Sequence, residues 1–169
     1  LFAMSYLTLL PIYADSYFNA GPTGYGLLNA AHGTGALFGS LTVATIAHLT
    51  LRRGTTLLVT ATALGGLLIV FSRSQAMWLA LAVLVLVGFC NTFYLMHVNT
   101  YLQQHVPDHL RGRVMSLYSL CWNLLPLGGL LAGALAAAVD ARFAVMFGGA
   151  MVAANALLLL TSRRLRAIS

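Results

Sequence analysis

The chain has 169 residues, of which 60% are hydrophobic and 7% are charged, and its mean hydropathy is +0.87. A soluble core of this length cannot bury so much apolar surface, so the composition excludes an ordinary soluble domain and favours a membrane protein. The net charge of +6 at pH 7 comes from nine arginines that lie between or after the apolar stretches. They form no basic patch on a polar surface, so nucleic-acid binding is not expected.

Six apolar stretches follow one another along the chain, each close to the roughly 20 residues that an α-helix needs to cross a bilayer. The segments GPTG, LRRG, SRSQ, HVPDHLRGR and VDAR separate them. The predicted spans are Leu1 to Tyr17, Thr23 to Leu49, Thr55 to Phe71, Met77 to Leu102, Val114 to Val139 and Phe143 to Thr161. The first span lacks an initiator Met and a preceding basic region, so we expect a fragment that begins inside a helix.

The arginines predict the orientation of these spans. With six spans, both ends of the chain lie on one side of the membrane, and the connections alternate between the two sides. Two arginines, Arg73 and Arg142, fall opposite the ends. Seven fall on the side of the ends: Arg52, Arg53, Arg111, Arg113, Arg163, Arg164 and Arg166. By the positive-inside rule, both ends are predicted to be cytoplasmic, in a cell inner (plasma) membrane.

Polar residues of the second span recur at helical spacing. Tyr25, Asn29, His32 and Ser40 share one face, which is expected to meet protein or water while the opposite face meets lipid. His32 is ionisable, lies near the middle of the span, and belongs to the residue type that titrates near neutral pH. It is therefore the candidate for proton coupling, with His97 of the fourth span as a weaker one. The alternative is a neutral histidine bonded to a neighbouring helix.

The fifth span resembles the second in its spacing of polar and small residues. Asn29, Gly35 and Gly39 match Asn123, Gly129 and Gly133 at a constant offset of 94 residues. Each glycine pair has the GxxxG spacing that lets a neighbouring helix approach closely, so all four glycines are predicted to be helix-packing positions. The match predicts a three-plus-three inverted repeat.

The first two helices of each triplet are predicted to line a cavity, because the third and sixth spans carry few polar groups and suit a lipid-facing position. The candidates for substrate contact are Asn29, His32, Asn91, Tyr94, Trp122 and Asn123. Amides can hydrogen-bond a substrate, and Tyr and Trp offer flat amphipathic surfaces. For the asparagines, hydrogen bonding between helices is the alternative. No span has Asp or Glu at its centre, which favours a neutral, largely apolar compound.

The connection between the fourth and fifth spans carries Asp108, Arg111 and Arg113. These residues are predicted either to anchor helix ends at the cytoplasmic surface or to latch a gate. The segment VPDHLRGRVMSLYSL resembles the loop and helix in the C-terminal half of major facilitator superfamily exporters, in the subgroup of enterobactin and macrolide efflux proteins. The early segment LLPIYADSYFNAGPTGYGLL is similar to the seventh helix, outer loop and eighth helix of that family.

The resemblance implies an all-α membrane protein in which residues 1–169 form the C-terminal six-helix bundle of a twelve-helix fold. It implies export of drug-like or siderophore-like small molecules from a bacterial cell by alternating access, with protons as the coupling ion. The implied partners are membrane lipid and a missing N-terminal six-helix half, and no cofactor, metal or catalytic residue is expected.

Two other functions remain open. An intramembrane serine enzyme is disfavoured, because neither Ser5 nor Ser40 lies in a glycine turn within reach of a histidine. The other is a non-transporting membrane subunit.

Overall fold

A computed structural model describes Met4, residues 6–46 and residues 53–161. Within these ranges the chain is helical and forms no strand. The α-helices are α1 (Tyr6–Ile12), α2 (Gly21–Ile46), α3 (Arg53–Ser72), α4 (Met77–His105), α5 (Asp108–Asn123), α6 (Leu125–Ala138) and α7 (Ala141–Thr161). A π-helical turn, Tyr13–Tyr17, extends α1. Asn19 and Gly21 then adopt positive φ angles of 48° and 54°, which reverse the chain into α2.

Three helical segments of the described part are long and apolar enough to cross a membrane: Met77–Gln104, His109–Ala138 and Ala141–Leu158. Thr56–Ser72 forms a shorter apolar helix. The predicted second span is helical over Gly21–Ile46, but its Gly, Asn, His and Thr residues make it less apolar than these. The architecture is that of an all-α membrane protein.

The predicted fifth span, 114–139, differs most from the structure. The helix begins at Asp108, directly after Pro107, so the six residues before Val114 are helical and not part of a turn. Pro107 occupies the N-cap position, and no side chain caps the helix there. The span also breaks at Leu124. Pro126 lacks an N–H, so the carbonyl four residues before it loses its usual helical partner and α6 starts anew.

Glycines bring α2 and α4 together over much of their length. Gly35 lies directly against the α4 backbone, and a Cβ at Gly39 would be 2.7 Å from the Phe89 carbonyl oxygen. On α4, a Cβ at Gly88 would clash with the carbonyl oxygen of His32. The backbones are therefore in contact along this seam, which is the packing that small residues permit between membrane helices.

Glycines also lie at two other helix contacts. On α3 and α7, Gly65 and Gly149 meet reciprocally: a Cβ at either would be 2.7 to 2.8 Å from the carbonyl oxygen of the other. On α6, a Cβ at Gly129 would be 3.0 Å from the Cγ2 atom of Thr8 in α1, while Gly133 has open surroundings. In the described part, α2 thus packs closely on α4, and α6 contacts α1.

Candidate functional site

Tyr6, His32 and Gly88 form a cluster at the middle of the bundle, the midplane cluster. All three lie eleven residues from one end of their helical segments. Tyr6 is eleven residues from the end of the π-helical turn, His32 from the start of α2, and Gly88 from the start of α4. At 1.5 Å per residue this corresponds to about 16 Å, roughly half of the hydrocarbon core of a bilayer. Three helices therefore meet near the middle of their length.

Two polar atoms of the midplane cluster are buried without a hydrogen-bond partner among the described residues: the Tyr6 hydroxyl and the Nε2 atom of His32. Tyr6 is 2% exposed, and its ring meets the His32 ring edge to face, with centroids 6.0 Å apart and planes at 63°. Each unsatisfied atom costs about 1–3 kcal/mol, so the Tyr6 hydroxyl and the His32 Nε2 atom destabilise the described conformation.

The predicted cavity residues of α2 and α4 occupy different environments. The Nδ2 atom of Asn29 donates to the Tyr25 carbonyl at 3.1 Å, within its own helix. Asn91 is 4% exposed and continues the buried stripe of Leu84 and Val87, so it faces the interior of the bundle. Tyr94 is half-buried. Of these residues, Asn91 is closed off from any cavity in the conformation described.

The candidates on the fifth span lie on a separate surface. We define the α5 surface as Leu117, Leu120, Cys121, Trp122 and Asn123, all of which are exposed. Trp122 is 37% exposed, and its ring meets Tyr118 edge to face at 6.5 Å. Among the described elements α5 has few contacts with other helices, including α6, which directly follows it. The structure therefore does not bring Trp122 and Asn123 to the midplane cluster.

The helix break adjoins the α5 surface. At the repeat offset, Pro126 occupies the position that corresponds to His32. Pro126 has no N–H for the Trp122 carbonyl, and the Leu124 N–H bonds to both the Leu120 oxygen, at 3.2 Å, and the Trp122 oxygen. At the offset of the predicted repeat, an imidazole on a continuous helix thus corresponds to a proline at a helix break.

A row of aromatic rings follows α4 toward the predicted cytoplasmic end. Phe89 and Phe93 stack at 5.8 Å, and Phe93 and His97 at 4.3 Å. The His97 Nδ1 atom is 2.9 Å from the Phe93 carbonyl oxygen, so that nitrogen has a partner, unlike Nε2 of His32. The four-residue spacing of these rings was visible in the sequence, but their stacking on each other was not predicted.

Sequence reasoning missed a cluster at the predicted outer end. The Tyr17 hydroxyl donates to Oδ1 of Asp140, and the Arg142 guanidinium lies 4.3 Å above the Tyr17 ring. Tyr13 stacks on Phe71 with centroids 4.8 Å apart. These contacts join the π-helical turn to α3 and to the α6–α7 connection. Tyr17 and Asp140 are 123 residues apart, so no local sequence pattern signals the pair.

At the predicted cytoplasmic end, Nη2 of Arg111 donates to the Gln103 carbonyl at 3.3 Å and so connects α5 to the end of α4. Arg113 is exposed. The side chain of Asp108 and the residues Arg52, Arg163, Arg164 and Arg166 lie outside the described part of the structure. No group of three metal-ligating side chains occurs among the described residues.

Ser40, the serine considered as a nucleophile, donates its hydroxyl to the Leu37 carbonyl of its own helix at 2.8 Å. Ser5, the other one considered, lies outside the described residues. The structure therefore gives no support to a serine enzyme in the part that it describes.

Comparison with protein families gives one match. The family model described as transmembrane secretion effector, of the major facilitator superfamily, matches residues 1–169, the whole chain. The searches of curated proteins and of solved structures return no match. The family match agrees with the helical, apolar architecture and points to a transporter.

Proposed function

This chain belongs to the transmembrane secretion effector family of the major facilitator superfamily and is a membrane transporter; we propose that it forms the C-terminal six-helix half of a proton-coupled exporter. In this proposal the chain rocks against an N-terminal half around a midplane site, in a bacterial inner membrane with both ends of the chain cytoplasmic. The reciprocal packing of α2 on α4 and of α6 on α1 supports the repeat-built bundle.

The observation that carries the proposal is the α5 surface. It combines an exposed indole, an exposed amide and a helix break, and the described part of the bundle leaves it uncovered. Interrupted helices commonly build the binding sites of secondary transporters, because the break frees main-chain polar groups. Trp122 and Asn123 suit a neutral compound with flat rings and a few hydrogen-bonding groups, which describes many drug-like and siderophore-like molecules. Asn29 and Tyr94 would supply further contacts from α2 and α4.

His32 is the residue proposed to carry the coupling proton. It lies at mid-depth, and its Nε2 atom has no partner among the described residues, so the atom is free to accept a proton when water reaches it. At the cytoplasmic end, Asp108, Arg111 and Arg113 are proposed to gate or anchor the inner side. The bond from Arg111 to the end of α4 supports the anchoring role.

Dye efflux tests the exporter proposal. The full-length protein, in a strain that lacks its own exporters, is expected to expel ethidium, and a protonophore is expected to stop it. Trp122→Ala should slow efflux about tenfold, since a lost ring contact of about 1.4 kcal/mol corresponds to that factor. Leu130→Ala is the matched control, because Leu130 is 69% exposed on α6 and does not belong to the α5 surface as defined.

The two parts of this proposal can fail separately. Equal efflux by the Trp122→Ala and Leu130→Ala variants would contradict the assignment of the α5 surface as a substrate site. Efflux that continues in the presence of the protonophore would contradict proton coupling and leave the export function standing.

A further inference from the structure

Tyr6 carries a buried hydroxyl for which the proposed transport mechanism gives no role. We propose that Tyr6 is the positioning partner of His32: in another conformation of the transport cycle its hydroxyl hydrogen-bonds the Nε2 atom of the imidazole, directly or through one water. In the conformation described here that hydrogen bond is not formed. The inference rests on the proposed role of His32 in proton coupling and assigns it a partner on α1.

The geometry supports this pairing. Both atoms are buried, both lack a partner among the described residues, and both side chains lie at the same depth. With ring centroids 6.0 Å apart, rotation of the two side chains or a small shift of α1 suffices to close a hydrogen bond. Two neighbouring polar groups that are both unsatisfied and complement each other are better explained by a hydrogen bond that forms in another conformation than by two unrelated unsatisfied groups.

The described contact of His32 with α4 is made by its backbone. Gly88 lies against the His32 carbonyl oxygen, and the adjacent Val87 and Phe89 carry no titratable group. The titratable side chain that α1 presents to the imidazole is Tyr6. In this proposal, the protonation state of His32 therefore affects α1 through the hydroxyl of Tyr6.

The chemistry of the two groups makes the contact depend on the proton. A neutral imidazole with a bare Nε2 accepts a hydrogen bond from the Tyr6 O–H. When a proton arrives from the water-filled side, Nε2 becomes an N–H donor, and the hydroxyl must turn to accept instead. Tyr6 keeps its own proton throughout. Protonation of His32 thus changes the contact between α1 and α2, and the proton leaves when the other side opens to water.

Tyr13 provides a matched control. It is also a fully buried tyrosine of the same segment whose hydroxyl lacks a partner among the described residues. Its ring, however, stacks on Phe71 and lies against the Tyr17 ring near the predicted outer end, about 10 Å along the helix from Tyr6 at 1.5 Å per residue. Tyr6→Phe and Tyr13→Phe remove the same atom from similar environments, but only the first removes it from His32.

The first test measures transport and stability together in the full-length protein. Tyr6→Phe should melt at or above the wild-type temperature, because it removes an unsatisfied buried hydroxyl. It should nevertheless slow proton-driven ethidium efflux from proteoliposomes about fivefold, while Tyr13→Phe stays within about twofold of wild type. In a His32→Gln background, Tyr6→Phe should cause no further slowing.

A second readout does not depend on transport. Solid-state NMR of the 15N-histidine-labelled protein should show two Nε2 signals for His32, assigned by their loss in His32→Gln, and the hydrogen-bonded one should disappear in Tyr6→Phe. An unchanged pair of signals in Tyr6→Phe would overturn the inference. If the signals respond as expected but His32→Gln transports at the full rate, the Tyr6 contact stands and the proton-coupling role of His32 fails.

Discussion

Gly35→Ala is the most direct test of the α2–α4 seam. The added methyl carbon would clash with the Val85 carbonyl oxygen, and it would lie 2.7 Å from the Val85 carbonyl carbon and 2.9 Å from the Phe89 nitrogen. Methyl carbons essentially never approach heavy atoms closer than 3.0 Å. The obstructing atoms belong to the backbone of α4, which cannot rotate away as a flexible side chain can. The two helices must therefore separate along the seam.

The structure allows the cost to be estimated against a control on the same helix. Overpacking of this kind costs about 1–3 kcal/mol, and the separation also weakens the contact at Gly39. Alanine at Gly33, where nothing lies within 4 Å, should instead gain up to about 1 kcal/mol from its better helix propensity. The two variants should therefore differ in stability by about 3 kcal/mol.

Thermal unfolding of the purified full-length protein in detergent, followed by intrinsic fluorescence, measures this difference. At about 2 °C per kcal/mol, the low end for chains of this size and above, Gly35→Ala should melt roughly 6 °C below Gly33→Ala. Equal melting temperatures for the two variants would refute close backbone packing of α2 on α4.

Three further predictions concern other contacts. Gly149→Ala should lower the free energy of unfolding by about 1–3 kcal/mol, because its Cβ meets the α3 backbone; a wild-type melting temperature would contradict that contact. Tyr17→Phe and Asp140→Ala should each cost about 1 kcal/mol and together no more than either alone, since each removes one partner of the same hydrogen bond; additive losses would refute the pairing. A water-soluble maleimide should label exposed Cys121 faster than half-buried Cys90, with ethidium slowing only the former; labelling of Cys121 that ethidium leaves unchanged would argue against a substrate site there.

The helices themselves were largely predictable, because an apolar stretch of membrane-spanning length has few alternatives to helix in lipid. The ends were predicted less well. The residues DHLRGR were interpreted as a turn because they are polar, yet a polar segment can stay helical where a span emerges into the interface. The break at Leu124 had a visible signal in Pro126, since a proline inside an apolar run ends or kinks a helix.

The candidate site was predicted only in part, and the reason is the range of the interactions. The spacing of Gly35 and Gly39 indicates a packing face, but it cannot say that α4 is the helix packed there. Tyr6 lies in a largely apolar run, and nothing local distinguishes it from a core aromatic. The link from Tyr17 to Asp140 exists only once the fold has brought distant segments together.

The predicted repeat would give the proposed site a physical reason for asymmetry. At its corresponding positions, His32 and Pro126, one half keeps a continuous helix and supplies polarity through a side chain, while the other breaks the helix and offers main-chain groups. A side chain that titrates can change its hydrogen bonding with the proton, whereas a carbonyl is always an acceptor. In the proposed mechanism α2 would therefore respond to protons, and the α5–α6 break would provide a fixed polar contact for the substrate.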